Sequence, residues 1–178
     1  MKKLKTKDFL YAAIFAALIA VMGFIIVPLP FSPVPVTGQS LAIMLAGCLL
    51  TTRQAGMAVT TFLMLGVAGI PVFAGGTAGI GVLVGPRGGY LIGFLVGAVV
   101  ISMLKKKFPS VLGLFFSSVV GGILVVYALG VFHLNNVTGM GLEAAITAGA
   151  LPFIPGDIFK AIVAAFVGSA VNKRMENE

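Results

Sequence analysis

The sequence predicts an all-α integral membrane protein, a bundle of six transmembrane helices with both termini in the cytoplasm. Three observations carry that expectation. Of 178 residues, 59% are hydrophobic and only 10% are charged, with a mean hydropathy of +1.13, whereas a soluble domain carries about 25% charged residues. The apolar residues gather into six runs near the length a bilayer core requires, about 17–25 residues per helix. The positive charges, finally, fall between alternate runs, as they do where basic loops are retained in the cytoplasm.

The runs are 8–27, 37–52, 54–70, 88–104, 109–132 and 156–172. The first follows Lys2, Lys3, Lys5 and Lys7, a pattern also found in secretory signals. Its apolar part is longer than the about 7–15 residues of a signal core, so it reads as a retained span. Pro28, Pro30, Pro33 and Pro35 end it and forbid regular helix beyond it. Arg53 and Gln54, after two threonines, mark an abrupt turn between the second and third runs. Either one long hairpin or two tilted helices fits there. Pro71 closes the third run, and a glycine-rich stretch follows to Gly89. Lys105, Lys106, Lys107 and Pro109 divide the fourth from the fifth, and residues 133–155 divide the fifth from the sixth. Within the last connection, GLEAAITAGA suits a short interfacial helix, and His133 reads as a solvated loop residue. The whole chain, 1–178, reads as a single six-helix membrane domain of a multi-pass plasma-membrane protein.

Charge fixes the orientation. With the N-terminus inside, Lys2, Lys3, Lys5, Lys7, Arg53, Lys105, Lys106, Lys107, Lys173 and Arg174 are cytoplasmic, ten of the twelve basic residues. Only Arg87 and Lys160 fall on the outer side. An even number of spans fits this bias and an odd number does not. The net charge of +7 and pI near 9.9 are thereby an orientation signal rather than a nucleic-acid footprint.

Several classes of function are disfavoured. The lone Cys48 lies in an apolar run, so neither a disulfide framework nor a metal cluster is expected. No G-x-x-x-x-G-K-[ST] phosphate loop occurs, although Gly75, Gly76, Gly79, Gly81 and Gly85 crowd one segment. No nucleophile, base and acid are grouped, so no enzyme and no cofactor are expected.

The informative residues are the charges that the orientation leaves outside. Lys160 falls in the first turn of the sixth helix, where the helix dipole disfavours a cation. It also opposes the positive-inside bias. Asp157, one turn earlier, is a natural partner at i,i+3. Two readings stand: a closed ion pair with the lysine stem snorkelling, or a pair that meets a ligand bearing N–H donors at one end and a carboxylate at the other. Arg87 in GPRGGY suits an anion or lipid headgroups, and Tyr90 suits a ligand face or the interface. Phe73, Gly75 and Gly76 suit a loop folded over a pocket. Thr37 and Gln39 offer neutral hydrogen bonds at the start of the second helix, where Thr37 equally suits a cap. Ala12, Ala13, Ala16, Ala17 and Ala20 in the first span give small-residue spacing on one face for close helix contact, within the chain or with another subunit. Gly89, Gly93 and Gly97 in the fourth suit internal packing.

Three segments, PVPVTGQSLAIMLAG, GIPVFAGGTAGIGVLVGPRGGYLIGF and PFIPGDIFKAIVAA, together resemble the BioY family, the biotin-specific S components of energy-coupling factor transporters. The resemblance covers nearly the whole chain. It implies a compact six-helix fold with an outward-facing biotin pocket, a transmembrane coupling subunit and two ATP-binding cassette ATPases as partners. It also implies that Ala13 and Ala17 face the coupling subunit and that PGDIFK brings Asp157 and Lys160 into the pocket. Asp157 would then meet the ureido N–H groups of biotin, and Lys160, with Arg87, its carboxylate; alternatively Lys160 would donate to the ureido oxygen. A stand-alone carrier for a small carboxylate-bearing solute, or a membrane scaffold, are the competing classes.

Overall fold

A computed structural model describes residues 5–176. Lys2 and Lys3, counted above among the inside charges, lie outside the described residues. Each of the six predicted runs coincides with a helix or helical rod, the second with a short one, and further differences lie at their ends.

Helix α1, Thr6–Met22, starts where the Asp8 carboxylate accepts the Lys5 backbone N–H at 2.9 Å and the Gln54 side-chain amide at 2.7 Å. An acid in the first turn suits the dipole. The helix stops at Gly23, short of residue 27, because the chain turns there into a hairpin. Strand β1, Ile26–Val27, pairs antiparallel with β2, Val36–Thr37, with Ile26 opposite Thr37. The prolines between them lack the N–H that a longer ladder needs. The all-α expectation stands, since each strand is only two residues long.

Helices α2, Gln39–Leu49, and α3, Thr52–Val67, are separate elements. The break is a capping box: Thr51 Oγ1 accepts the Gln54 N–H at 3.4 Å, and Gln54 Oε1 accepts the Thr51 N–H at 3.0 Å. Helix α2 is buried on nearly every side, and its last turn is tied to two other elements. The Cys48 carbonyl accepts Lys105 Nζ at 2.9 Å and Asn172 Nδ2 at 3.2 Å, supplying donors that a helix C-terminus otherwise lacks.

A 3-10 turn, Ala74–Gly76, and short α4, Ile80–Val84, lead to α5, Gly88–Leu104. Helix α6, Val111–Ser118, continues through a π-helical turn, Val119–Val125, into α7, Val126–Thr138. The rod so formed runs past the predicted end at 132. His133 therefore lies in helix and not in a solvated loop, half-buried with Nε2 3.0 Å from the Gly85 carbonyl oxygen. The expected short helix is α8, Leu142–Gly149, and α9, Ile154–Glu176, completes the described chain.

The interior is built on small residues. Ala12, Ala16, Ala42, Ala46, Ala55, Ala58, Ala98, Ala161 and Ala164 are all buried, which lets backbones approach closely. Gly97 of α5 backs onto the Gly121 carbonyl, and Gly93 lies 2.9 Å from Val126 Cα measured from an ideal Cβ position, so neither site has room for a side chain. Many large apolar residues face outward, among them Leu112, Phe116, Leu124, Phe159 and Phe166, while Phe62, Phe73 and Ile43 fill the core. Val111–Thr138 and Leu142–Met175 are long and apolar enough to cross a bilayer. At 11 residues, α2 reaches only about 16 Å, roughly half of a hydrocarbon core about 30 Å thick. The space beyond its N-terminus is the cleft described next.

Candidate ligand-binding site

The cleft opens at the end of the bundle where α1 and α3 finish and α2, α5 and α9 begin. It is an open cleft rather than a sealed cavity: its cavity volume is about 70 Å³, and the space counted out into its mouth is about 630 Å³. Val34, Phe73, Tyr90, Phe94 and Phe153 form much of its apolar wall. Such a concave apolar lining with a few convergent polar groups is the usual form of a small-molecule site.

The polar groups converge on one carboxylate. Asp157, only 5% exposed, lies in the first turn of α9, where the dipole favours its charge. Its Oδ1 accepts Lys160 Nζ at 2.8 Å and Ser40 Oγ at 2.9 Å. Its Oδ2 accepts the Tyr127 hydroxyl at 2.7 Å. Lys160 Nζ also donates to Ser40 Oγ at 2.8 Å and to the Thr37 carbonyl at 2.9 Å, so its three hydrogens have three acceptors. The i,i+3 ion pair thus exists, and both partners line the cleft. The two readings of Lys160 are not exclusive: pair and pocket are one structure.

The other predicted residues divide by location. Thr37 and Gln39 line the cleft, but the Gln39 amide donates inward, to the Ile19 carbonyl at 3.3 Å and the Val72 carbonyl at 3.2 Å. It staples α1 to the segment after α3. Thr37 contributes its carbonyl to Lys160, while its Oγ1 accepts the Gln39 N–H at 3.3 Å. Phe73 is a wall residue, held edge-to-face on Phe62 with centroids 5.5 Å apart. Tyr90 presents its ring to the cleft and donates its hydroxyl to the Gly149 carbonyl at 2.8 Å. Arg87 sits at the rim, with Nε 3.3 Å from the Pro33 carbonyl oxygen of the hairpin loop. Gly75 and Gly76 stand back from the lining; their φ angles of 71° and 73° turn the chain away, and the Gly75 N–H donates to the Gly23 carbonyl at 3.0 Å. The alanines of α1 do not share one face: Ala13 and Ala17 are exposed, while Ala12 and Ala16, each one residue away and so about 100° around the helix, are buried. Ser40 and Tyr127 are the polar site residues that sequence reading missed, and for Tyr127 a signal was present. The available signal was a phenol in the middle of an apolar run, where tyrosine is less expected than at an interface.

Fold and cleft together define a helical membrane protein with an apolar cleft, polar at one spot, at one end. The BioY family profile matches residues 1–177. A biotin transporter BioY of Rhizobium etli is 38% identical over 177 residues, spanning 94% of each chain. That of Thermotoga maritima is 41% identical over 167 residues, spanning 94% of this chain and 96% of the relative. A crystal structure described as the S-component for biotin from an ECF-type ABC transporter matches with a TM-score of 0.89 and 30% identity, over 96% of this chain and 95% of that one. The chain belongs to the BioY family, transporter components rather than enzymes.

Proposed function

We propose that this chain captures biotin at the outer face of the plasma membrane, as the substrate-binding subunit of an ATP-driven vitamin importer. The observation that carries the reading is a buried carboxylate paired with a part-buried ammonium in the lining of an apolar cleft, in a chain of the BioY family. Oδ2 of Asp157 holds one donor and has capacity for another, which suits a ureido N–H. The ammonium of Lys160 exchanges its bond to the Thr37 carbonyl for the ligand, and Arg87 at the rim meets the carboxylate tail. The aromatic and aliphatic wall takes the fused rings. The termini are cytoplasmic, and the energy for release comes from a transmembrane coupling subunit with two ATP-binding cassette ATPases that dock on the Ala13 and Ala17 face.

The test is binding of labelled biotin to the purified chain without ATP. Saturable binding that is lost in both Asp157→Ala and Lys160→Ala, with folding retained, is the expected result. Unchanged affinity in both variants would reject the site. Biotin uptake into liposomes by this chain alone would instead favour a stand-alone carrier.

A further inference from the structure

The rod α6–α7 contains a feature that the binding reading does not use. Its buried positions Ser118, Gly122, Val126, Gly130 and Leu134 recur every four residues. An α-helix has about 3.6 residues per turn, so a spacing of four drifts by about 40° each step. The π-helical turn Val119–Val125 takes up one extra residue and returns about 100° of that drift. It forms where side chains are absent: an ideal Cβ on Gly121 would lie 2.6 Å from the Gly97 carbonyl oxygen, and one on Gly122 would lie 2.7 Å from Met44 Cε. Two residues beyond the turn is Tyr127, whose hydroxyl meets Asp157 Oδ2 in the cleft.

We propose that Tyr127 is a positioning residue for Asp157, and that the π-helical turn is the device that aims it. The proposal rests on the assignment of Asp157 as acceptor for a ligand N–H. Ser40 and Lys160 hold only Oδ1, and the carboxylate torsion of an aspartate is intrinsically broad. The Tyr127 hydroxyl fixes the second oxygen and so directs its remaining lone pair at the ligand.

The decisive measurement compares biotin with analogues methylated at either ureido nitrogen, on purified protein. Wild type is expected to prefer biotin over the analogue blocked at the contacted nitrogen. In Tyr127→Phe that preference shrinks about tenfold, a free-energy change of about 1.4 kcal/mol, while the thermal midpoint stays near wild type. A merely structural role would weaken all ligands alike. Deleting Leu124, a 59% exposed residue of the turn, removes the extra residue, so a regular helix carries Tyr127 to the same place and the preference is expected to stay. Inserting an alanine after Val125 and deleting Ala128 keeps the turn and the register of Gly130 and Leu134 but displaces Tyr127 by one position. This paired variant is expected to lose the preference as Tyr127→Phe does. Full preference retained in Tyr127→Phe overturns the role of the hydroxyl, and loss of preference in the Leu124 deletion, or full preference in the paired variant, overturns the role of the turn. If Asp157→Asn binds biotin as wild type does, the underlying assignment fails instead, so the two failures are distinct.

Discussion

At the scale of single residues, the site turns on an ion pair withdrawn from solvent. Lys160 and Asp157 side chains are 16% and 7% exposed. Removing one member leaves the other charged and buried, which costs about 3–5 kcal/mol, whereas replacing both by neutral groups of similar volume is often near neutral. Lys160→Met is therefore expected to lower folded stability by about that amount and to abolish biotin binding. The double variant Asp157→Asn/Lys160→Met should recover most of the stability and none of the binding. Thermal unfolding in detergent, read beside a binding isotherm, separates the two; a single variant as stable as wild type would mean that the pair is not coupled. This pair was legible in the sequence because both members lie on one helical turn and Lys160 opposes dipole and topology alike. Ser40 and Tyr127 come to the carboxylate from 117 and 30 residues away, and no local pattern encodes such a meeting. Gln39 was legible as a polar residue at the right place, but not the inward direction of its amide, which depends on carbonyls of α1 and of the segment after α3.

At the scale of elements, glycine sets how closely helices approach. Helix α5 meets the π-helical turn through Gly97 and Gly121, each standing where the other's carbonyl would meet a Cβ. Overpacking a tight contact costs about 1–3 kcal/mol. Gly97→Ala is expected to destabilise the bundle by that order, read as a lower thermal midpoint, with a larger loss for Gly97→Val. Gly56→Ala is the control, since its Cβ would meet only Val99 Cγ2 at an ordinary 3.6 Å; equal losses at the two positions would remove the argument. The six apolar runs were legible as helices because composition and length suffice to find them. Their ends were less so. The first ends at Gly23 because residues 26–37 close a hairpin, a long-range pairing. The fifth extends to Thr138 because His133 finds the Gly85 carbonyl, and a polar residue with a partner does not need a solvated loop.

At the scale of the whole molecule, the proposed topology and docking face make separate predictions. In a Cys48→Ser background, a cysteine at Lys106 should be labelled by an impermeant reagent only from the cytoplasmic side, and one at Met140 only from outside; the opposite pattern would invert the bundle. The docking prediction follows from how α1 divides its faces. Ala12, Ala16 and Ile19 are buried within the chain, while Ala13 and Ala17 are exposed beside Leu10, Ile14 and Val21. The inward alanines already make the internal contact, so the outward ones have no packing role in the isolated chain. Small residues at i,i+4 allow a second helix to approach closely in lipid, and a bulky side chain there blocks that approach without touching the cleft at the far end of the helix. Ala13→Phe/Ala17→Phe is expected to leave biotin affinity within about twofold and to reduce ATP-driven uptake by more than about tenfold, measured in liposomes holding the complete transporter. Co-purification of the coupling subunit should fall in parallel. Uptake at the wild-type rate would place the docking surface elsewhere on the bundle, whereas loss of biotin binding would mean that this face of α1 supports the fold of the pocket itself.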